Sequence, residues 1–212
     1  MTERAAALPA PPPGAHVHRD EPRIWTLDGL LTPAECEHLI QIAEPGLRRA
    51  EVSGDSAGQR SQGRTNAVVW IHHDTDPTTA AICQRIADLV ELPLAHAESM
   101  QVICYDVGQE YRAHFDAYDL TTPRGQRCCA RGGQRLITAL VYLCDVESGG
   151  GTAFPTLGLT IAPLRGRLLV FHDCRAGTNT RHPDTLHAGL PVLAGRKWAF
   201  NLWFHERPFR DP

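Results

Sequence analysis

The chain has 212 residues, of which 42% are hydrophobic and 21% are charged, and its formal net charge is -3. This length suits one domain with a buried core, and the slightly acidic balance argues against a surface of clustered Lys and Arg that would bind nucleic acid. No apolar run approaches the roughly 20 residues of a membrane-spanning helix, and no signal-peptide core occurs near the start. We therefore expect a cytoplasmic protein that binds neither nucleic acid nor membrane.

The sequence indicates an arm followed by one domain. Residues 1–22 are rich in Pro and Ala and show no periodicity, which predicts a flexible arm. Residues 23–212 show no internal repeat and no second boundary, so we expect them to form one domain. Its first part, about 23–97, carries helical patterns and should support the rest, whereas about 98–205 carries strand patterns.

Two helices are predicted in the first part. Thr32-Pro33-Ala34-Glu35 combines an N-cap residue, a proline at the first helical position and the glutamate of a capping box, and Pro45-Gly46 should end this helix. Asp76-Pro77 should begin the second helix, whose apolar residues recur on one face. Short strands are expected at 23–27 and 65–71, with a polar loop over 51–63.

The second part predicts a β-rich core. Short β-prone runs are separated by Gly and Pro turns, at 100–105, 111–118, 136–143, 159–161, 167–171, 184–189 and 198–204. Many short strands at this spacing are typical of a sandwich or barrel, and the preceding helices should pack on one side of it. The predicted fold is therefore mostly β with flanking helices.

Seven cysteines occur in no repeated C-x-x-C frame, which argues against a disulfide scaffold or a zinc ribbon. Most of them are expected to be buried and reduced. The adjacent pair Cys128-Cys129 lies in a polar loop, where it is either two incidental thiols or a redox or metal site.

The stretch YRAHFDAYD holds the strongest candidate for a metal site. His114 and Asp116 are two residues apart in a predicted strand, so their side chains should share one face while Phe115 points to the other. Counting alone does not identify a site, because the same spacing recurs at His18/Asp20, His72/Asp74 and His182/Asp184. Those pairs lie in the arm, at a strand end and around a proline, where polar residues are ordinary.

His187, in the predicted strand TLHAGLPV, supplies a third ligand. Two histidines and one carboxylate on a barrel face form the facial triad of non-haem Fe(II) oxygenases, which leaves positions open for cosubstrate and oxygen. A catalytic zinc ion is the weaker alternative, because the sequence lacks the H-E-x-x-H pattern of helical zinc sites.

Lys197 lies in the apolar segment GRKWAFNLWFH, ten residues after His187. A lysine there either extends to the rim or points inwards, on the next strand beside a metal ligand. An inward cation suits the far carboxylate of an organic acid whose other end chelates the metal, because a charge-assisted bond is strong in a dry pocket. This arrangement predicts 2-oxoglutarate as cosubstrate.

Several stretches of the chain follow one another in a recognisable order and spacing. They are GRTNAVVW, ICQRIADLVELP, ESMQVICYDVGQEYRAHFDAY, GGQRLITALVYLCDVESGGGTAFP, LTIAPLRGRLLVF and HPDTLHAGLPVLAGRKWAFNLWFH. With this order, residues of about 64–205 resemble the prolyl 4-hydroxylase family of Fe(II)/2-oxoglutarate oxygenases, over some two-thirds of the chain.

The resemblance implies a double-stranded β-helix, or jelly-roll, core with the N-terminal helices packed on one side. It implies Fe(II) on His114, Asp116 and His187, and 2-oxoglutarate held by Lys197, Tyr105 and Thr152. The implied reaction is hydroxylation of a C–H bond by O2, coupled to conversion of 2-oxoglutarate to succinate and CO2, with ascorbate as an available reductant. Related halogenases lack the carboxylate at the position of Asp116, so its presence favours hydroxylation.

The resemblance also implies a substrate peptide or protein that contains proline. Residues at the positions where peptidyl-proline enzymes contact substrate are Tyr111, Arg135, Trp203 and His205. Trp203 and His205 should share a face by their spacing, and an aromatic wall with a polar tip suits a proline ring. Core and surface positions are the alternatives for these two residues, and a structural ion pair is the alternative for Arg135.

Departures from the family pattern leave the substrate open. Gly149-Gly150-Gly151-Thr152 lacks the glutamate of the usual Gly-Gly-Glu-Thr, and Ala117 stands where an aromatic residue is usual. The loop over 119–134 is rich in Arg and could cover the substrate groove. A free amino acid or small natural product is therefore an alternative substrate. A jelly-roll binding or sensor module without turnover is the alternative from another class, and a nucleic-acid dealkylase is the weakest.

Overall fold

The computed structural model describes residues 10–51 and 62–209. The strands within these residues are β1 (His16–Asp20), β2 (Arg23–Leu27), β3 (Arg48–Arg49), β4 (Ala67–Ile71), β5 (Met100–Tyr105), β6 (Tyr111–His114), β7 (Arg135–Tyr142), β8 (Ser148–Gly149), β9 (Thr152–Phe154), β10 (Leu159–Ile161), β11 (Leu168–His172), β12 (His187–Gly189), β13 (Val192–Ala194) and β14 (Lys197–His205). The α-helices are α1 (Pro33–Ala43), α2 (Pro77–Leu89) and α3 (Pro123–Cys128). Not one of these helices combines the length and the apolar composition that crossing a bilayer requires.

Two antiparallel sheets form the body of the molecule. The large sheet has the strand order β1-β2-β11-β7-β14-β5-β4-β3, the small sheet has the order β10-β9-β12-β6, and β8 pairs with β13. The two sheets face each other across a shared core, to which Ile103 and Leu140 contribute from the large sheet and Phe154 and Ile161 from the small one. The predicted fold, a mostly β jelly-roll with flanking helices, is confirmed.

The large sheet has a second core on its outer face. Side chains of alternate residues point to opposite faces of a strand, so Trp198, Phe200 and Leu202 of β14 pack outwards while Ala199 packs inwards. The inward set of β14 also includes Lys197 and Trp203, which line a cleft between the sheets. The same strand therefore supplies both the outer core and the cleft.

The helices α1 and α2 pack into the outer core, as the sequence predicted. Leu39 of α1 and Ile82 and Ile86 of α2 are fully buried there. The predicted capping box is present, because the Thr32 hydroxyl accepts from the Glu35 amide at 3.2 Å and the Glu35 carboxylate accepts from the Thr32 amide at 2.8 Å. These local hydrogen bonds fix where α1 begins.

Part of the range predicted as a flexible arm forms a strand. Residues 1–9 lie outside the described residues, but His16–Asp20 form β1, which pairs with β2 at the edge of the large sheet. Every residue of β1 is exposed or half-buried, so no hydrophobic period revealed this strand. The predicted polar loop over 51–63 lies largely in the undescribed range 52–61.

Two strand boundaries differ from the prediction, and a short helix and several short strands were not predicted. The strand predicted over 111–118 ends at His114, and the one predicted over 184–189 begins only at His187, after a single helical turn at Pro183–Thr185. The loop predicted over 119–134 contains α3, which Thr122 caps by accepting from the Gly125 amide. The sequence also missed the short strands β3, β8, β9 and β13, which are two or three residues long. The other predicted strands match the structure to within two residues at each end.

Candidate metal centre and its cleft

His114, Asp116 and His187 meet at one edge of the small sheet. His114 is the last residue of β6, His187 is the first residue of β12, and the two are direct partners in the pairing of these strands. Asp116 lies in the bend after β6, so the shared strand face predicted for His114 and Asp116 is wrong although the two meet. The ligand atoms of all three residues lie within 4.8 Å of one another.

The donor set of this cluster fits a divalent cation. The Nδ1 atom of His114 donates to the Arg112 carbonyl at 2.8 Å, and that of His187 donates to the Thr185 carbonyl at 2.9 Å. A neutral imidazole then carries an unprotonated Nε2, and these Nε2 atoms lie 3.7 and 3.6 Å from the Asp116 carboxylate oxygens. Those separations are too long for hydrogen bonds but suit ligands that each lie about 2.1 Å from one ion.

Asp116 is held as an anion by two donors. Its Oδ2 atom accepts from Nε1 of Trp203 and from the hydroxyl of Thr138, both at 2.8 Å. Burial opposes ionisation, but His187, His114, the Arg135 cation and the hydrogen bond from Trp203 lower the pKa of Asp116 overall. A buried carboxylate that stays ionised is the group that a metal ligand requires.

Stacked rings hold His114 from the side. The Tyr111 ring lies almost parallel to the His114 imidazole, with 3.6 Å between the ring centroids and 17° between the planes. The guanidinium of Arg64 lies 4.6 Å from the centroid of the Tyr111 ring. Tyr111, predicted to contact substrate, lines the cleft and also supports a candidate metal ligand.

Lys197 faces the cluster from the large sheet. Its side chain is 2% exposed, and its Nζ atom lies 5.2 and 5.4 Å from the ring centroids of Tyr105 and Tyr142. Among the described residues no carboxylate forms an ion pair with Lys197, and burial lowers the pKa of its amine to about 8. The sequence predicted that Lys197 lies on a strand next to a metal ligand. In the structure its strand, β14, belongs to the opposite sheet. The inward direction of the side chain is as predicted.

Tyr105 and Thr152 lie around the same end of the cleft. Tyr105 is the register partner of Lys197, and Thr152 accepts from the Tyr142 hydroxyl at 2.7 Å. A Cβ atom at Gly189 would lie 3.3 Å from the Tyr105 hydroxyl, so glycine leaves this hydroxyl its space. Burial raises the pKa of Tyr105, which keeps its hydroxyl protonated as a donor. The cleft has a volume of about 390 Å³.

Aromatic and charged side chains form the rim of the cleft. Trp70 is 46% exposed and lies 6.0 Å, centroid to centroid, from Trp203. The guanidinium of Arg135 stacks 4.0 Å from the Trp203 ring, and its Nε donates to the Glu98 carboxylate at 2.6 Å. Arg135 therefore takes part in the ion pair that was its alternative interpretation, while it also lines the cleft.

His205 does not reach the cleft, contrary to the prediction. It is 1% exposed, and its two ring nitrogens bond to the Gly133 carbonyl at 2.9 Å and to Glu98 at 2.8 Å. The pairing of β14 with β7 shifts register between Phe204 and His205, so even spacing from Trp203 no longer gives a shared face. His205 is part of the buried network that holds Glu98.

Sequence reasoning missed Thr138, Trp70 and Glu98 as residues of the site. Trp70 lies within a predicted strand, but its exposure, which is unusual for a tryptophan, is visible only in the structure. Cys128 and Cys129 stay apart from the site: all seven cysteines are free, and burial raises the pKa of the Cys129 thiol to about 11. This protonated state favours incidental thiols over a redox or metal pair.

Comparisons with known proteins agree with the geometry of the site. The model of the 2OG-Fe(II) oxygenase superfamily matches residues 100–205. Prolyl 4-hydroxylase 5 of Arabidopsis thaliana is 32% identical over 213 residues, which cover 90% of this chain and 70% of that protein. Prolyl 4-hydroxylase subunit alpha-1 of Mus musculus is 36% identical over 197 residues, which cover 91% of this chain but 36% of that longer protein.

A solved structure extends the likeness to three dimensions. The viral collagen prolyl hydroxylase of Paramecium Bursaria Chlorella virus-1, crystallised as its 2OG complex, superposes with a TM-score of 0.67 at 29% identity. The match covers 85% of this chain and 94% of that one. The chain belongs to the prolyl 4-hydroxylase family of the 2OG-Fe(II) oxygenases, and it is an Fe(II)- and 2-oxoglutarate-dependent dioxygenase.

Proposed function

We propose that the protein hydroxylates prolyl residues of a peptide or protein at the 4-position. One observation carries this proposal beyond the family. The Trp203 indole binds the candidate metal ligand Asp116 through Nε1 and lines the cleft beside the exposed ring of Trp70. A proline ring packed on this aromatic rim lies next to the metal-binding atoms, and indole surfaces suit such a ring.

Within this proposal, His114, Asp116 and His187 hold Fe(II), and Lys197, Tyr105 and Thr152 hold the far carboxylate of 2-oxoglutarate. When bound, the iron and 2-oxoglutarate supply the oxidising chemistry, in which O2 and the oxo acid yield succinate, CO2 and a hydroxylated C–H bond. Two histidines and one carboxylate leave coordination positions open for that cosubstrate and for oxygen.

The residues of the chain supply orientation and a dry cleft. The hydrogen bonds from Nδ1 of His114 and His187 to backbone carbonyls aim both Nε2 atoms at one point. The ammonium of Lys197, buried between the sheets, forms a strong charge-assisted bond with a carboxylate because water does not screen it. These constraints fix the cosubstrate relative to the substrate rim.

We assign the substrate contacts to Tyr111, Arg135, Trp203 and, additionally, Trp70. Arg135 uses Nε for Glu98, and the guanidinium has further N–H groups that can donate to a peptide carbonyl. We also place the reaction in a reducing compartment such as the cytosol, which the seven free cysteines support.

The test is turnover of proline-containing peptides by the iron-loaded enzyme with 2-oxoglutarate and ascorbate. We expect a mass increase of about 16 Da on the prolyl residue, succinate in equal amount, and 4-hydroxyproline in the hydrolysate. The matched controls are a peptide with alanine in place of proline and the Asp116→Ala enzyme, whose donor set is incomplete. Both should give no hydroxylated product.

The same assay with free proline separates the alternative substrate class. A free amino acid that turns over faster than any peptide would replace the peptide assignment, while the oxygenase chemistry would stand. Succinate formed without hydroxylation of either class would contradict proline as the substrate.

A further inference from the structure

A buried carboxyl group lies behind the candidate metal centre, outside the donor set described above. Asp173 directly follows β11 and is fully buried. Its Oδ2 atom lies 2.9 Å from the Thr138 hydroxyl, and its Oδ1 atom is buried without a hydrogen-bond partner among the described residues. An ionised carboxylate with one unpaired oxygen in such a place is strongly disfavoured, whereas a neutral acid is tolerated.

The hydroxyl of Thr138 bridges two carboxyl groups. It lies 2.8 Å from Oδ2 of Asp116 and 2.9 Å from Oδ2 of Asp173. A threonine hydroxyl has one proton to donate, so one of the two carboxyl groups must supply a proton of its own. Asp116 must be ionised to bind a metal, which leaves Asp173 as the acid that donates to Thr138.

We propose that Asp173 is a positioning residue of the metal centre: as a neutral acid it donates to Thr138, which thereby donates its own proton to Asp116 and orients that carboxylate. The inference depends on the iron site of the proposed function but not on its substrate. Neutral Asp173 adds no second negative charge behind Asp116, so the ligand keeps its full charge for the metal without repulsion from a neighbour.

The groups that face Asp173 agree with a neutral state. Burial raises the pKa of Asp173 well above its ordinary value, and the negative charge of Asp116 raises it further. The Thr138 hydrogen bond and the Arg135 cation act in the opposite direction but are the smaller causes. The hydrogen-bond geometry and the charge environment therefore agree.

Hydrogen bonds also connect the backbone of Asp173 to the segment that orients a second candidate ligand, His187. Its carbonyl accepts from the His182 amide at 2.9 Å, and the His182 carbonyl accepts from the Thr185 hydroxyl at 2.7 Å. The carbonyl of Thr185 in turn accepts from Nδ1 of His187 at 2.9 Å. Because the backbone contacts survive a change of side chain, substitutions at position 173 test the link to Asp116 separately.

The experiment measures Co(II) affinity of the full-length protein from the visible d–d absorption, with Co(II) as an air-stable replacement for Fe(II). Asp173→Asn keeps the shape and offers an uncharged N–H donor to Thr138, so we expect a Kd close to that of the wild type. Asp173→Ala and Thr138→Val break the chain of hydrogen bonds. We expect each to weaken Co(II) binding by about 10- to 100-fold, as loss of such supporting contacts does.

The double variant Thr138→Val/Asp173→Ala provides the control for a shared pathway. We expect its Co(II) affinity to match that of the weaker single variant, because the chain is already broken. Thermal unfolding of each metal-free variant separates loss of fold from loss of affinity. If Asp173→Ala does not fold, Asp173→Asn and Thr138→Val decide the question.

Three results would overturn the inference. Asp173→Asn could bind Co(II) as weakly as Asp173→Ala, which would mean that the ionised form matters. Asp173→Ala could unfold at a lower temperature but bind Co(II) as tightly as the wild type, which would reduce Asp173 to packing. The losses of Co(II) affinity in Asp173→Ala and Thr138→Val could also add in full in the double variant, which would mean that the two residues act independently. None of these assays contains a peptide, so a wrong substrate assignment leaves them intact, whereas a wild type that binds no Co(II) removes the metal site itself.

Discussion

Both candidate histidine ligands are oriented by the same local device. In each, Nδ1 donates to the carbonyl of the residue two positions earlier, Arg112 for His114 and Thr185 for His187. The tautomer and the ring direction are therefore fixed by short-range backbone geometry, before any metal binds. Long-range contacts add only the third ligand, Asp116, which needs Trp203 and Thr138 from the opposite sheet.

Lys197→Met should weaken 2-oxoglutarate binding without abolishing metal binding. The substitution keeps the apolar stem and removes a buried cation that no described carboxylate neutralises. A charge-assisted bond contributes roughly 1.5–3 kcal/mol, so we expect the KM for 2-oxoglutarate to rise about 10- to 100-fold. Succinate formation at varied 2-oxoglutarate measures the effect. Lys197→Arg, which keeps the charge, should lose less, and an unchanged KM in Lys197→Met would contradict the assignment.

The pH dependence of the same step follows from the lowered pKa of Lys197. Burial lowers that pKa to about 8, so the free enzyme loses the cation as the pH rises above 8. The affinity of wild-type enzyme for 2-oxoglutarate should therefore fall as the pH rises through this range. In Lys197→Met the affinity is already low and should stay flat there.

The candidate ligands and the inward direction of Lys197 were predictable from sequence, whereas contacts between strands were not. His114, Asp116 and His187 were identified from their residue types and order, although Asp116 lies in the bend after β6 and not in the strand. The contribution of Thr138 depends on its register opposite Trp203, which no local pattern shows. The same cause made the prediction for His205 wrong, because the register shift after Phe204 lies in the pairing of two distant segments.

At the scale of elements, local hydrogen bonds determine where the helices begin. Asp76 caps α2 by accepting from the amides of Thr78 and Thr79 at 2.8 and 3.0 Å and from the Thr79 hydroxyl at 2.6 Å. These partners follow within three residues of the cap, which is why both α1 and α2 were predictable from sequence. The short strands β8 and β13 have no such local signal, since they pair with each other across a long stretch of chain. The strand β9 pairs with the nearby β10 and also with the distant β12, and its three residues are too few to show a period.

Asp76 should contribute a pH-dependent part of the stability. Although burial opposes it, the hydrogen bonds from Thr79 and the neighbouring His38 together lower the pKa of Asp76 from 3.8 to about 2. A lowered folded-state pKa means that the contribution is present above about pH 4 and is lost as the pH falls towards 2. Asp76→Asn keeps a capping side chain without the charge. The melting temperatures of wild type and Asp76→Asn should therefore converge as the pH falls through this window, and parallel curves would contradict the mechanism.

Glycines at one turn show how two elements constrain each other. Gly149 has a φ of +77°, and a Cβ atom there would lie 2.3 Å from the Pro191 carbonyl oxygen, which requires glycine. At Gly151, where the family usually has glutamate, a Cβ atom would lie 3.0 Å from the Thr160 methyl group. Thr160 on β10 therefore leaves little space for a side chain at position 151, where this chain has glycine instead of the usual glutamate.

At the scale of the whole molecule, the site joins the two sheets. His114, His187 and Thr152 come from the small sheet, whereas Tyr105, Lys197 and Trp203 come from the large one. A metal bound to the small-sheet residues and a cosubstrate that also contacts the large-sheet residues would therefore link the two sheets across the cleft. Ligands that bind the folded state alone stabilise it by mass action.

Metal and cosubstrate should therefore raise the melting temperature in two separable steps. A ligand at 100 times its Kd adds about 2.7 kcal/mol, and in a chain of this size each kcal/mol raises the Tm by roughly 2–4 °C. We expect Co(II) to raise the Tm of the metal-free protein by about 5–10 °C, and 2-oxoglutarate to raise it further only when Co(II) is present. Asp116→Ala should lose both steps, because the metal site is incomplete. Lys197→Met should keep the first step and lose most of the second, since the metal ligands lie on the small sheet and the cation on the large one. Loss of the Co(II) step in Lys197→Met would mean that the two halves of the site do not bind their ligands independently.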